Sequence, residues 1–300
     1  MGLGIASVKL NLELFQRGLF KSIESAIDIG AQELHLKLKD FEELVKAAGI
    51  TNYQKENFQN LENWPKRPRC QTRPFYEMLG IKKYCCVDLG GLYEAIPHDL
   101  NLPFEDKTHW GKYDLVTDYG CNEHVFNVAE AYRTMHRLCK PSGLMIISQQ
   151  VTGGNGYFLF DLSFFEGIAA ANNYKILFSS YIVELNKNTK NGSHLSYCIP
   201  LSRELLDVLD YSKVDFIGIS YVMQKQNNED FMFPYQSSYL AKSRGNIGYR
   251  LQYDMMPPSR AYIPIGGQSP VGIKYLIKEL IKSIKRRFKL YVALKRIRLN

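Results

Sequence analysis

Three hundred residues give room for one large α/β domain or two small ones, with a substantial core in either case. A hydrophobic share of 45% and a charged share of 23% exclude wholesale disorder, and no run approaches the roughly 18 apolar residues of a spanning helix. The net charge of +8 belongs to one end: residues 270–300 hold ten Lys or Arg against one acid, a net +9 that leaves the remainder at −1, which argues against a nucleic-acid-binding core.

The pattern in chain order alternates strand and helix. Residues 5–20 read as a helix. Ile23–Gly30 reads as a short buried strand ending in a glycine turn, followed by a helix over Leu34–Ala48 that Gly49 stops. Residues 49–73 break the rhythm and read as an insertion. A helix is expected near Phe75–Leu79, then strands at Tyr84–Asp88, around Ala95–Asp99 and at Tyr113–Asp118. A helix over Val125–Leu138 precedes the Pro141-Ser142-Gly143 turn and a strand at Leu144–Ser148. A helix at Phe164–Asn172 and strands at Tyr174–Val183 and Phe216–Gln224 complete the series. The alternation predicts a Rossmann-like, doubly wound, mostly parallel sheet over residues 1–225. A C-terminal extension (226–269) and a basic amphipathic helix (270–300) follow. The six cysteines form no CxxC pair and have no His at zinc spacing, which suits a reducing, cytoplasmic setting and predicts no metal site.

In an open parallel sheet, ligands bind beyond the carboxyl ends of the strands. The residues at those ends form a consistent set. Gly30 permits a tight turn beside Asp28, and Asp88 ends the second strand, where an acid accepts hydrogen bonds from ribose hydroxyls. Asp99 and Leu100 follow the third strand, placed to meet an adenine, and Tyr119-Gly120 ends the fourth. Gly30-Ala31-Gln32-Glu33 supplies one glycine and then an acid where a dinucleotide site needs G-x-G-x-x-G. That turn is wrong for pyrophosphate and suits a cofactor with a sulfonium and no phosphate.

These segments resemble the successive motifs of class I S-adenosylmethionine-dependent methyltransferases: Ala26–Glu33, Val87-Asp88-Leu89, His98-Asp99-Leu100-Asn101 and Tyr113–Phe126. Thr117–Asn127 is similar to the GTxEHV-N loop of a branch associated with bacterial surface-polysaccharide synthesis, and His136–Gly143 and Gly154–Phe158 are similar to later segments of that branch. The resemblance spans roughly residues 23–265. It implies S-adenosylmethionine as cofactor and O-methylation of a sugar or glycoconjugate. The chain departs from the pattern at Gln32 and Leu34, which stand where the second and third glycines would. It departs again in the 60-residue spacing of Asp28 and Asp88, which the insertion lengthens beyond the ~20 of a compact unit.

Methyl transfer to a hydroxyl requires alignment and removal of a proton. His124 is the expected base, with Glu123 to orient it, hold substrate or cap the following helix. Tyr157 and Asn155, in a glycine-flanked loop, are the expected contacts to a sugar face, whereas Phe164, Phe165 and His136 read as packing residues. A non-catalytic scaffold on the same fold is the second reading, and a nicotinamide-dependent oxidoreductase the third. In the tail, Ile273, Ile277, Leu280, Ile284, Phe288 and Tyr291 recur at helical spacing opposite a basic face. Residues 271–297 would lie on an anionic membrane at the inner face or pack on the body or a partner. Homo-oligomerisation stays open.

Overall fold

A computed structural model describes residues 2–185, 195–201 and 214–235, with positions 206, 209, 211, 252–253, 281 and 284–285 beyond them. The chain begins with β1 (Gly2–Leu3), α1 (Ile5–Gln16), β2 (Ser25–Ile29), β3 (Glu33–Leu34), α2 (Leu38–Ala47) and α3 (Arg73–Met78). It continues with β4 (Lys83–Asp88), β5 (Ile96–Pro97), β6 (Tyr113–Tyr119), α4 (Val128–Leu138), β7 (Cys139–Thr152) and α5 (Leu162–Ala171). Last come β8 (Lys175–Leu185), β9 (Leu195–Ile199), β10 (Val214–Gln224) and β11 (Gln252–Tyr253).

β2 is buried at every position, the signature of a central strand covered on both faces. It pairs in parallel with β4 on one side and β6 on the other, and β5 and β7 extend those two directions, also in parallel. The full order is β11-β8-β10-β7-β6-β2-β4-β5, with β9 on the outside of β8 and β10 antiparallel to both its neighbours. The fold is therefore the Rossmann-like, doubly wound and mostly parallel α/β sheet that the alternation predicts. Strand order reverses between β2 and β6, which sets the ligand crevice at their carboxyl ends.

Two cores form on the two faces because strand side chains alternate. Ile27, Ile29 and Val116 face one way, against Tyr132 and Met135 of α4 and Phe165 and Ile168 of α5. Ala26, Leu115 and Ile146 face the other, against Leu10 and Leu14 of α1, Phe41 and Val45 of α2, and Phe75 and Tyr76 of α3. The 49–73 insertion joins this second core, since its 3-10 helix at Lys55–Asn63 buries Phe58 and Leu61.

The helix expected over Leu34–Ala48 starts later, at Leu38. Glu33 and Leu34 are captured as a strand: they pair with Gly2 and Leu3, Leu34 N–H donates to Cys70 O at 2.8 Å, and His35 N–H donates to Leu3 O at 2.8 Å. Leu34 and Leu36 are both buried, a period of two that a helix-period reading of Leu36, Leu38 and Phe41 overrode. The strand expected at Leu144–Ser148 runs from Cys139 to Thr152, absorbing the Pro141–Gly143 turn as an irregularity with Ser142 at φ 64°. β1, β9 and β11 were not anticipated. The segment 270–300, expected as an amphipathic helix, lies outside the described residues except for Ile281, Ile284 and Lys285, which are helical and exposed. Of the 226–269 extension, residues 226–235 and 252–253 are described.

Gly153 turns the chain out of β7 with φ 80°. A Cβ there would overlap the carbonyl oxygen of Asp215 and lie 3.1 Å from Phe216 Cα. Backbone cannot swing aside as a side chain does, so Gly153→Ala is expected to cost about 2–3 kcal/mol, read as a lower denaturation midpoint at unchanged slope.

Candidate functional site

The turns at the carboxyl ends of β2 and β4 are locked together by one carboxylate. Gly30, at φ 80°, donates its N–H to Val87 O at 2.7 Å. Asp88 accepts from Ala31 N–H at 3.1 Å through Oδ2 and from Gly90 N–H at 2.8 Å through Oδ1. Two of its four lone-pair positions remain, and the residue is half-buried, so it stays available to a ligand hydroxyl. Asp99 accepts from the backbone N–H and the side-chain amide of Asn101, at 2.9 and 2.8 Å, and these bonds hold its carboxyl below the usual carboxylate range. Asn101 in turn accepts from Asn127 N–H at 2.9 Å, fastening the loop after β5 to the start of α4. Leu100 packs inward with Phe104.

Two expected cofactor residues lie beneath the crevice, in the core. Asp28 and Tyr119 point to the face of the sheet that carries Ala26 and Leu115. Asp28 is fully buried and accepts from Thr72 Oγ1 at 2.5 Å, Tyr76 OH at 3.0 Å, Tyr84 OH at 2.9 Å and the Thr117 hydroxyl. Burial pushes its carboxyl up to about 6 despite these four donors. Tyr119 OH accepts from Asn11 Nδ2 at 2.6 Å, tying β6 to α1. Both residues set the position of the crevice floor.

The turn after β6 holds Glu123 and His124, the two residues expected to do the chemistry. Gly120, at φ 74°, donates to Ser148 O at 2.9 Å. Glu123 Oε2 accepts from Gln150 N–H at 2.9 Å, and its Oε1 lies 3.6 Å from His124 Nε2. Burial raises the Glu123 carboxyl and lowers the His124 imidazole, whose side chain is 40% exposed. The loop after β7 closes over this turn, with Tyr157 N–H donating to Glu123 O at 2.7 Å. Tyr157 is 73% exposed and meets Phe126 edge-on, with ring centroids 6.0 Å apart. Asn155 is exposed beside it. Gly30, Asp88, Gly120, Glu123 and His124 thus share one end of the sheet, with Tyr157 and Asn155 at the rim. His136 is packed between Tyr174 OH at 2.5 Å and Glu229 O at 2.7 Å, and burial pushes it down to about 4. Phe165 is buried and Phe164 half-buried.

The sequence reading did not single out Asp118, Gln149 or Gln150. Asp118 is buried, accepts from Cys121 N–H at 2.9 Å, Asn122 N–H at 3.3 Å and the Gln149 amide, and burial drives it up to about 7. Gln150 Nε2 donates to Phe158 O at 2.7 Å. The available signal was two adjacent glutamines interrupting the apolar run Leu144–Val151.

Gln32, at the place of a second glycine, folds back: its Nε2 donates to Ile29 O at 2.5 Å, while its buried Oε1 has no partner. Asn122 Oδ1, Gln149 Oε1 and Gln150 Oε1 are also buried without partners. These amide oxygens lie beneath the surface, so the acceptors that this end of the sheet presents outward are the carboxylates of Asp88 and Asp99. Glu33 is turned away, on Arg69 and Tyr93. Among the described residues no group of three His, Cys, Asp or Glu could hold a metal ion, and no helix is long and apolar enough to cross a membrane.

No family model matches the sequence, and no curated protein matches it. Solved structures do resemble the chain. One is a 1,6-didemethyltoxoflavin N1-methyltransferase of Burkholderia thailandensis with bound 1,6-didemethyltoxoflavin and S-adenosylhomocysteine, at 12% identity over 74% of this chain and 79% of that one, with a TM-score of 0.38. A methyltransferase of Bacillus halodurans, itself described as putative, gives 12% identity over 73% and 99%, with a TM-score of 0.37. An S-adenosylmethionine-dependent methyltransferase of Archaeoglobus fulgidus gives 14% over 73% and 95%, with a TM-score of 0.34.

Proposed function

We propose that the chain is an S-adenosylmethionine-dependent methyltransferase acting on a hydroxyl of a sugar or glycoconjugate. The observation that carries this reading is the convergence at the strand-order reversal: Gly30 and Asp88 clasp the two turns, and Gly120, Glu123 and His124 stand on the adjacent strand end. The fit to the cofactor rests on chemistry present there. Asp88 retains acceptor capacity for ribose hydroxyls, and Asp99 leaves Oδ2 for an amino group. Bound there, the cofactor would supply a methyl group on a sulfonium. His124, neutral near pH 7, would take the acceptor's proton, with Glu123 holding the imidazole. Tyr157 and Phe126 would offer aromatic faces to the sugar.

Calorimetric titration with S-adenosylhomocysteine tests the reading, and absence of binding overturns it. Asp88→Ala removes a charged acceptor and unclasps both turns, so affinity is expected to fall about 30-fold or more, equivalent to about 2 kcal/mol. One observation favours the non-catalytic scaffold as a second reading: residues 33–34 form a strand with the N-terminus, so no helix N-terminus follows the glycine turn directly. That reading expects cofactor binding without turnover on any nucleotide sugar.

A further inference from the structure

We propose that the cavity between residues 57–74 and the turn at Leu92–Tyr93 is a second small-molecule site, built for a flat organic anion bearing a carboxylate or phosphate. Its volume is about 560 Å³, within the range of cavities that enclose small ligands. It adjoins the crevice turns through Glu33 and Tyr93, but none of Gly30, Asp88, Asp99, Gly120, Glu123 or His124 lines it, so the proposal does not rest on the methyltransferase reading.

Its charge is set by Arg67 and Arg69 against Glu33. Glu33 is buried and already committed, accepting from Arg69 Nη1 and Tyr93 OH at 2.9 Å each, with His35 Nε2 at 3.4 Å. Desolvation pushes this carboxyl up, but the bonds from Arg69, Tyr93 and His35 and the Arg69 charge together hold it below its ordinary range. One arginine is thereby neutralised. Arg67 is exposed and, among the described residues, has no carboxylate within ion-pair distance. The cavity keeps a net positive charge, with the Asn57 and Asn60 amides as further donors. Leu92 and Pro74 add apolar wall, and the Tyr93 ring offers a stacking surface.

The backbone supports a built site. Tyr93 and Glu94 lie at φ 57° and 58°, two successive residues with side chains in the left-handed region. That conformation is costly for any residue but glycine, and such residues gather at ligand clamps. Here it places the Tyr93 hydroxyl on Glu33 and its ring along the cavity.

Trp64 supplies the readout, because its ring lies 5.0 Å from the Arg69 guanidinium and stacks on His35 at 4.4 Å. The full chain is titrated with phenyl phosphate, benzoate and neutral benzyl alcohol, following tryptophan emission, with Trp64→Phe as the blank. Expected is a saturable change with one or both anions, a Kd below about 1 mM, and none with benzyl alcohol. Arg67→Gln should weaken anion binding at least tenfold and Arg67→Lys less, both without altering S-adenosylhomocysteine affinity. A response to phenyl phosphate alone identifies phosphate esters as the class, and one to benzoate alone identifies carboxylates. No saturable change with either anion, equal binding of benzyl alcohol, or unchanged affinity in Arg67→Gln overturns the proposal. Failure of S-adenosylhomocysteine to bind overturns the crevice reading and leaves this one standing.

Discussion

Asp28→Ala is expected to destabilise the fold by about 3–4 kcal/mol, a loss large enough to lower the thermal midpoint of a 300-residue chain by roughly 5–6 °C. The carboxylate joins four separate elements: Thr72 and Tyr76 at the start of α3, Tyr84 on β4, and Thr117 on β6, around its own strand β2. Removing it leaves a buried void and strips the common acceptor from four hydroxyls. The Thr72–Tyr84 contact of 2.8 Å survives, which limits the loss. An unchanged midpoint would show that these hydroxyls re-pair fully among themselves.

The same residue gives a pH signature of defined sign. Its folded pKa of about 6 stands above the ordinary 3.8, so between about pH 4 and pH 6 the folded state binds more proton than the unfolded state. Stability from this group is greatest below pH 4 and is lost as pH rises through 6, on the order of 3 kcal/mol in all. Asp118, raised to about 7, acts in the same direction over a wider window. Asp28→Asn keeps the shape and removes the ionisation. It should cost less than about 1 kcal/mol at pH 8 and flatten the decline in stability between pH 4 and 6. Equal slopes in wild type and Asp28→Asn would assign the decline to other groups.

Asp28 also marks where the sequence stops being legible. Its place at the end of a buried strand could be read from Ile23–Gly30, and so could the crevice side of Asp88 and Gly120. What periodicity did not reveal is parity: with side chains alternating, Asp28 and Tyr119 fall on the face shared with Ala26 and Leu115, and so into the core. Three of the four donors that satisfy Asp28, the hydroxyls of Thr72, Tyr76 and Tyr84, come from beyond an insertion whose path the local pattern does not encode. Central strands were legible because they are apolar on both faces. The two-residue strands β1 and β3 were not, because their pairing is decided by a partner 31 residues away, as Gly2 with Glu33. Gln32 is a further instance: as a letter it spoils a glycine motif, but folded back on Ile29 it completes the turn and leaves one acceptor free.

His124→Ala is expected to lower kcat by about 10²- to 10³-fold on any acceptor that a nucleotide-sugar screen supplies, with S-adenosylhomocysteine affinity unchanged. The imidazole is partly exposed at the crevice and lies 3.6 Å from a carboxylate that Gln150 N–H fixes in place. Burial lowers its pKa from 6.5, which keeps it neutral and able to accept a proton at pH 7. The kcat–pH profile should therefore rise along an acid limb set below 6.5 and reach a plateau near neutrality. Glu123→Gln retains the acceptor for Gln150 N–H but removes the charge that favours the imidazolium. The acid limb should then move to still lower pH, and kcat should fall by about tenfold as the ring loses its orienting partner. A role confined to holding the turn would behave differently: both variants would lose thermal stability together with activity, and the acid limb would stay where it was. Full turnover in His124→Ala would remove the imidazole from the chemistry and leave the crevice as a binding site alone.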